Sequence, residues 1–161
     1  MSLLPKGFRL RQGTVCVYTL TDGKTYITCI KNSEILTNLV NRIYKNLKSI
    51  IIPPSVTGIG QGAFDGCTNL SSVTIPDSVT SIDSQAFVRC TNLLSVTIPD
   101  SVTTIREYAF FACTSLSSVT IPDSVTTIGD NAFRGCTNLS SVTIPDSVTT
   151  IGDNAFEGCP K

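Results

Sequence analysis

The chain has 161 residues, a formal net charge of zero and only 15% charged residues, and it contains no histidine and no tryptophan. The missing histidines exclude a Ser-His-Asp site, an imidazole metal ligand and a histidine-based pH switch. The charge is uneven, because residues 1–50 hold eight Lys or Arg against two acidic residues and the remainder holds four against ten. No Gly-rich phosphate loop or stripe of basic and aromatic residues accompanies the basic segment, so we expect no nucleic-acid partner.

The N-terminal region carries the pattern of a β-hairpin over residues 14–30. Apolar and polar residues alternate on both sides of Asp22-Gly23, a dipeptide that favours a two-residue turn. This turn would place Cys16 directly opposite Cys29, where a cross-strand disulfide and a reduced thiol pair are both feasible. The two cysteines are not part of a C-x-x-C motif, so their spacing does not indicate a redox centre.

A helix is predicted over about residues 33–46, with Ser33 as its N-cap. The apolar residues of this segment fall on one helical face: Ile35, Leu36, Leu39, Val40, Ile43 and Tyr44. We expect the hairpin and this helix, residues 1–46 together, to cover the open first unit of the repeat array that follows. Such caps are needed because an exposed terminal unit of an array is an aggregation-prone edge.

From residue 47 the sequence repeats with a strict period of 23 residues. Five Ile-Pro pairs share this spacing and begin at Ile52, Ile75, Ile98, Ile121 and Ile144. They define five units: 47–69, 70–92, 93–115, 116–138 and 139–161. A period of this length is typical of a solenoid, in which each unit forms one coil and buries its apolar side by stacking on its neighbours.

Each unit contains the same series of local patterns. The stretch "LSSVTIP" alternates as a strand does and ends at proline, so strands of successive units should pair in parallel with Leu, Val and Ile inward. "PDS" predicts a turn, "SVTTI" a second short extended stretch, and "DNAFEGC" a single helical or 3₁₀ turn. Ser and Thr at the outward strand positions then form two polar ranks: Ser72, Ser95, Ser118 and Ser141, and Thr74, Thr97, Thr120 and Thr143.

The joint spacing of Cys, Leu, Ile-Pro, Ile-Gly and Ala-Phe in these units closely resembles the BspA-like class of leucine-rich repeats, over residues 47–161. The resemblance implies an α/β repeat solenoid, namely a right-handed leucine-rich repeat array with a parallel sheet on its concave side. It also implies a non-catalytic protein-binding module, used in adhesion or host interaction at the cell surface or after secretion. The chain shows no signal peptide and no membrane-spanning stretch, so we expect no membrane insertion, and its compartment stays open.

Five of the seven cysteines occupy one position of every unit: Cys67, Cys90, Cys113, Cys136 and Cys159. We expect these cysteines to form a buried column of inert packing thiols. A zinc site is disfavoured, because thiolates in a straight line cannot converge on a tetrahedral zinc ion. A second column could bind calcium, although an Asp after proline is more often a turn residue: Asp77, Asp100, Asp123 and Asp146. We therefore predict no metal, no cofactor and no catalytic activity.

Residues that differ between the units are the candidates for binding a partner. We expect Val88 and Phe111 to be adjacent and exposed, beside Arg and Tyr side chains. Together they would form an aromatic and arginine cluster of the kind found at protein interfaces. The candidate set is Val88, Arg89, Arg106, Tyr108, Phe111 and Arg134.

Other interpretations concern the array as a whole. It could be a structural spacer in a longer surface protein, or its Ser and Thr ranks could bind ice. The C-terminal unit has no cap in this sequence, which predicts either a fragment of a longer array or a homodimer formed through this unit. Binding of an unidentified protein partner is the leading prediction.

Overall fold

The structure is a computed structural model that describes residues 16–20, 25–28, 47–52, 54 and 56–160. Twelve β-strands lie in this part of the chain. In chain order they are β1 Cys16–Leu20, β2 Thr25–Thr28, β3 Leu47–Ile51, β4 Gly58–Ile59, β5 Ser72–Thr74, β6 Ser81–Ile82, β7 Ser95–Thr97, β8 Thr104–Ile105, β9 Ser118–Thr120, β10 Thr127–Ile128, β11 Ser141–Thr143 and β12 Thr150–Ile151. The helix predicted over about residues 33–46 lies outside the described residues.

Strands β3 to β12 wind into five stacked coils, each with one longer and one shorter strand. The longer strands, β3, β5, β7, β9 and β11, form what we call the first-strand ladder, and the shorter ones form the second-strand ladder. Every strand pair between coils is parallel and joins residues 23 positions apart, such as Val96 with Val119 and Ile128 with Ile151. The predicted solenoid with parallel strands is therefore confirmed. The second-strand ladder is continuous, whereas the first-strand ladder is divided between β5 and β7.

The third side of each coil is a chain of β-turns without a helix, so the predicted α/β class is wrong for the described residues. In the second coil the N–H groups of Ala86, Val88 and Cys90 each donate at 3.2 Å to the carbonyl oxygen three residues earlier. Gln85 and Arg89 have φ values of 63° and 57°, which interrupts the run of right-handed residues that a helix requires. We call these segments the turn ribbon: 60–67, 83–90, 106–113, 129–136 and 152–159.

The turn ribbon uses alternate N–H groups for bonds between coils. The Phe87 N–H donates to the Ala109 carbonyl at 2.8 Å, and the Arg89 N–H donates to the Phe111 carbonyl at 2.8 Å. Equivalent bonds recur at all four junctions between the described coils. The ribbon is thus a third ladder, which pairs backbone groups that would be costly to bury unpaired.

One phenylalanine of each turn ribbon lies in the core and stacks on its equivalents: Phe64, Phe87, Phe110, Phe133 and Phe156. Neighbouring ring centroids are 5.0 to 5.3 Å apart, and the ring planes lie within 9° of parallel. The first four rings are fully buried, whereas Phe156 in the last coil is half-buried. Leu, Val and Ile from the strand side of each coil pack against this stack and complete the core.

The hairpin strands β1 and β2 pair one residue out of the predicted register. Cys16 lies opposite Thr28, so the predicted pairing of Cys16 with Cys29 is wrong. Five residues separate the paired Thr19 and Thr25, and a loop with an odd number of residues cannot centre on a two-residue turn. Strand β1 also pairs with β3 in the antiparallel sense, so the hairpin covers the outer edge of β3.

Candidate interaction site

Tyr108 and Phe111 form an aromatic pair on the turn ribbon of the third coil. Their rings are T-shaped, with centroids 5.6 Å apart. Tyr108 is 36% exposed and Phe111 is half-buried. Val88, at the equivalent of Phe111 in the second coil, is only 9% exposed, so the prediction that it is exposed is wrong. Side chains at equivalent positions of successive coils stack about 4.8 Å apart, so a short side chain between longer ones has little solvent-exposed surface.

The three arginines of the candidate set each form an ion pair with an acid of a neighbouring coil. The pairs and their nitrogen–oxygen distances are Arg89–Asp65 at 2.8 Å, Arg106–Asp83 at 3.2 Å and Arg134–Glu157 at 2.8 Å. Such exposed pairs contribute roughly 0–1 kcal/mol each to stability. They neutralise the guanidinium charges, so the arginines connect coils and do not form a free basic patch. In the second and third of these pairs the opposite charges lie one repeat apart, a sequence signal that sequence reasoning missed. Asp65 and Arg89 are 24 residues apart.

Six non-glycine residues of the described chain adopt a left-handed φ: Gln85, Arg89, Tyr108, Ala112, Asn131 and Asn154. Asparagine tolerates this conformation, but it costs other residues with a Cβ roughly 1–2 kcal/mol each. The four residues that are not asparagine all lie in the second and third coils, and Tyr108 and Ala112 flank Phe111 in the sequence. The equivalent positions of the first coil hold Gly62 and Gly66. The candidate site therefore lies at left-handed backbone positions that Gly or Asn occupies in the other coils.

Two acidic residues adjoin the backbone of Tyr108, since Glu107 precedes it and the Tyr108 N–H donates to the Asp130 carbonyl at 2.9 Å. Glu107 precedes Tyr108, is exposed and accepts a hydrogen bond from the Ser84 hydroxyl. This bond, followed by one from its own backbone N–H, lowers the pKa of the Glu107 carboxyl below its usual value. One repeat further on, Asp130 accepts the N–H of Asp153 at 2.9 Å. Glu107 therefore carries a negative charge next to Tyr108 at neutral pH.

The two polar ranks lie on the outer face of the first-strand ladder. Seven of their eight side chains are exposed and Ser118 is half-buried. The Thr rank continues into Ile51 of the first coil, which is 61% exposed and pairs with Thr74. Because the ladder is divided between β5 and β7, the ranks do not form one regular array.

The repeated cysteines form the predicted buried column, with the last, Cys159, half-buried. Each thiol from the second coil onward donates to the phenylalanine carbonyl of the preceding coil, as Cys113 does to Phe87 at 3.0 Å. Burial raises the pKa of the Cys67 thiol to about 12 and also raises the pKa values of Cys90 and Cys136. These thiols stay protonated, and their contacts are those of packing residues.

The aspartates of the "PDS" turns are all exposed: Asp77, Asp100, Asp123 and Asp146. Within the described residues, no group of three or more Cys, Asp or Glu side chains is arranged to hold a metal ion. In the same part of the chain, no helix has the length and apolar character needed to cross a membrane.

The stacked parallel coils and their 23-residue register define the class as a leucine-rich repeat β-solenoid. The chain belongs to the BspA-type leucine-rich repeat family, whose sequence profile matches residues 34–161 with six copies. A comparison with functionally curated proteins gives no significant match.

Solved structures of bacterial leucine-rich repeat proteins share this fold. The T. pallidum protein is 32% identical with a TM-score of 0.58, over 70% of this chain and 63% of its own. The Bacteroides ovatus protein is 30% identical with a TM-score of 0.65, over 92% of this chain and 38% of its own. A leucine rich cell surface protein of Faecalibacterium prausnitzii is 32% identical with a TM-score of 0.59, over 96% of this chain and 53% of its own. The chain thus spans less than two thirds of each of these relatives.

Proposed function

We propose that the chain is a non-catalytic protein-binding module and that its partner contacts the turn ribbon of the second and third coils. The observation that carries this proposal is the left-handed backbone at Gln85, Arg89, Tyr108 and Ala112. Strain of this kind persists where the side chain has a use that offsets its cost. At Tyr108 the strain presents an aromatic ring to solvent beside Phe111, and aromatic residues are enriched at interface hot spots.

We further propose that the module acts in adhesion or host interaction, on the cell surface or after secretion. Support comes from the F. prausnitzii relative, which is described as a cell surface protein. Extended repeat arrays also suit recognition of proteins, because they offer a long surface for contact.

Two alternative functions have less support. A structural spacer needs no strained aromatic residue, so it leaves the backbone at Tyr108 unexplained. Ice binding requires a regular polar array, whereas the ladder that carries the Ser and Thr ranks is divided and has exposed Ile51 and Leu94 at its surface.

A pull-down from extracts and surfaces of the native host tests the proposal with matched variants. In the test variant, Tyr108→Asn and Phe111→Arg give the third coil the residues that the fourth coil has at these positions, Asn131 and Arg134. The control variant carries Thr97→Lys and Thr120→Lys on the polar ranks. We expect a partner that the wild type and the control retain and the test variant loses.

Other outcomes of the pull-down separate the alternatives. A partner lost only by the control would move the binding site to the polar ranks. A partner retained by both variants would overturn the proposed site, and no partner at all would favour the spacer. Thermal unfolding of each variant shows that its coils are intact.

We also propose that a second copy of the chain packs on the fifth coil. Ile144 and Ile151 there are 39% and 50% exposed. Light scattering across protein concentrations should show a dimer that Ile151→Glu dissociates and Thr126→Glu does not. A monomer at all concentrations would contradict this proposal.

A further inference from the structure

The junction between the second and third coils, which we call the seam, differs from the other three junctions between described coils. In the first-strand ladder, three residue pairs join β3 to β5, β7 to β9 and β9 to β11, but none joins β5 to β7. In the second-strand ladder, β6 and β8 share one residue pair, Ile82 with Ile105, whereas each other junction has two. Two of the three ladders are therefore weakened at the same place.

Hydrogen bonds beside the second-strand ladder are also missing at the seam. At each other junction, the residue after the shorter strand donates its N–H to an isoleucine carbonyl of the preceding coil, as Gly129 does to Ile105 at 2.8 Å. The N–H of Arg106 makes no equivalent bond to Ile82. A bond between the threonines that precede the shorter strands is present at the other junctions and absent at the seam.

Burial shows the same difference independently of hydrogen bonding. Val73 and Ile75, the inward residues of the second coil at the first-strand ladder, are only half-buried. Their equivalents in the first, third and fourth coils are buried. In this respect the second coil resembles the terminal fifth coil. The turn ribbon, by contrast, keeps all three of its bonds across the seam, including the 2.8 Å bond from Phe87 to Ala109.

We assign the loosened contacts to two residues that depart together from the fourth and fifth coils. Arg106 occupies the position of Gly129 and Gly152, where a Cβ would lie 2.6 Å and 2.4 Å from a backbone nitrogen of the preceding coil. Asp83 holds the same position at the intact junction between the first and second coils, where its N–H donates to Ile59 at 2.8 Å. Arg106 therefore loosens the seam only together with the second departure. Leu94 occupies the position of Ser117, whose hydroxyl donates to the preceding coil at 3.1 Å. Leu94 has no hydroxyl and is 55% exposed.

We infer that the seam is a joint, with the intact turn ribbon as its pivot and the two strand ladders as the side that opens. In a repeat array each coil contacts only its neighbours, so one weak junction divides the array into two blocks that open independently. The blocks are the hairpin with the first two coils and the third to fifth coils. This inference rests on the junction geometry alone and does not depend on the proposed binding function.

Native-state hydrogen exchange of the whole chain tests the joint directly. In the wild type, we expect the amides of β7 and of residues 103–106 to exchange at least about tenfold faster than those of β9 and residues 126–129. The variant with Leu94→Ser and Arg106→Gly gives the seam the residues of the next junction. It should remove this difference, and Leu94→Ser alone should remove part of it.

The converse variant, Ser117→Leu with Gly129→Arg, moves the same residues one coil onward and should make β9 and residues 126–129 exchange faster. Equal exchange at the two junctions of the wild type would overturn the joint. Fast exchange that persists in the repaired variant would overturn the assignment to Leu94 and Arg106. Hydrogen exchange of the wild type and of Leu94→Ser tests the joint without the converse variant. The test therefore stays valid if the converse variant fails to fold.

Discussion

The fourth and fifth coils differ from the second and third in a way that separates scaffold from function. An 18-residue tract beginning at Leu116 returns unchanged at Leu139, and these coils hold Gly or Asn wherever the backbone is left-handed. The second and third coils hold Gln, Arg, Tyr and Ala at those positions and have a loosened junction between them. Residues common to all coils therefore explain the fold, while the departures lower local stability and mark where binding and movement are expected.

The largest expected effect concerns what all coils share, the stacked phenylalanines. Phe110→Ala should lower the free energy of unfolding by about 3–5 kcal/mol, because the ring is fully buried between two others. Denaturant unfolding gives this value. Phe156→Ala is the matched control and should cost less than half as much, because its ring is half-buried and stacks on one neighbour. Equal losses would show that the terminal coil is packed as tightly as the interior.

The thiol column should make the whole array sensitive to alkaline pH. Burial raises the pKa of Cys67 to about 12, and the pKa values of Cys90, Cys136 and Cys159 are raised as well. Between the ordinary thiol pKa near 9 and these raised values, the unfolded chain has released protons that the folded chain keeps. Stability is therefore complete below about pH 9 and falls above it, by up to about 1.4 kcal/mol per pH unit for each such thiol.

Denaturant unfolding at intervals from pH 8 to 11 measures this slope. Cys67→Ser removes one titrating thiol. Its unfolding free energy should therefore fall less steeply with pH, by up to about 1.4 kcal/mol per pH unit, whatever the variant's stability at pH 8. A wild-type stability that stays constant from pH 9 to 11 would contradict the buried, protonated column.

The smallest effect concerns the left-handed positions, where a residue of one pair of coils can replace its equivalent in the other pair. Tyr108→Asn should raise the free energy of unfolding by roughly 0.5–1 kcal/mol, because asparagine tolerates a positive φ. The reverse change in the fourth coil, Asn131→Tyr, should lower it by at least as much. Thermal and denaturant unfolding of the two variants decide the question. Loss of stability in both would mean that the Tyr108 ring contributes more to folding than its backbone costs.

The period made most of the fold predictable from sequence. Once the Ile-Pro pairs established a repeat of 23, the strand register and the buried positions of each coil followed, because equivalent residues must stack in parallel. The cysteine column and the outward Ser and Thr ranks were correctly located on the same basis.

Features that depend on contacts between coils were not predictable. "DNAFEGC" has the end signals of a helical turn, but bonds to the next coil draw its N–H groups into a ribbon of turns. The burial of Val88 depends on Asp65 and Phe111, which hold the equivalent position in the neighbouring coils, so the second coil alone does not reveal it. The division beside Leu94 depends on contacts across the junction, such as the hydroxyl bonds of Ser71 and Ser117, that the sequence does not show. The candidate site was found only as a region of variation, without the ion pairs that neutralise its arginines.

The constant register of 23 residues also determines which insertions and deletions preserve the contacts between coils. Each strand residue pair between coils joins equivalent positions, so a coil presents to its successor the same groups that its predecessor presented to it. Recombination between the identical tracts at 116–133 and 139–156 would insert or delete one whole coil and keep the same types of contact between the remaining coils. Recombination across the seam would instead duplicate or remove the joint, so array length and array flexibility can evolve separately.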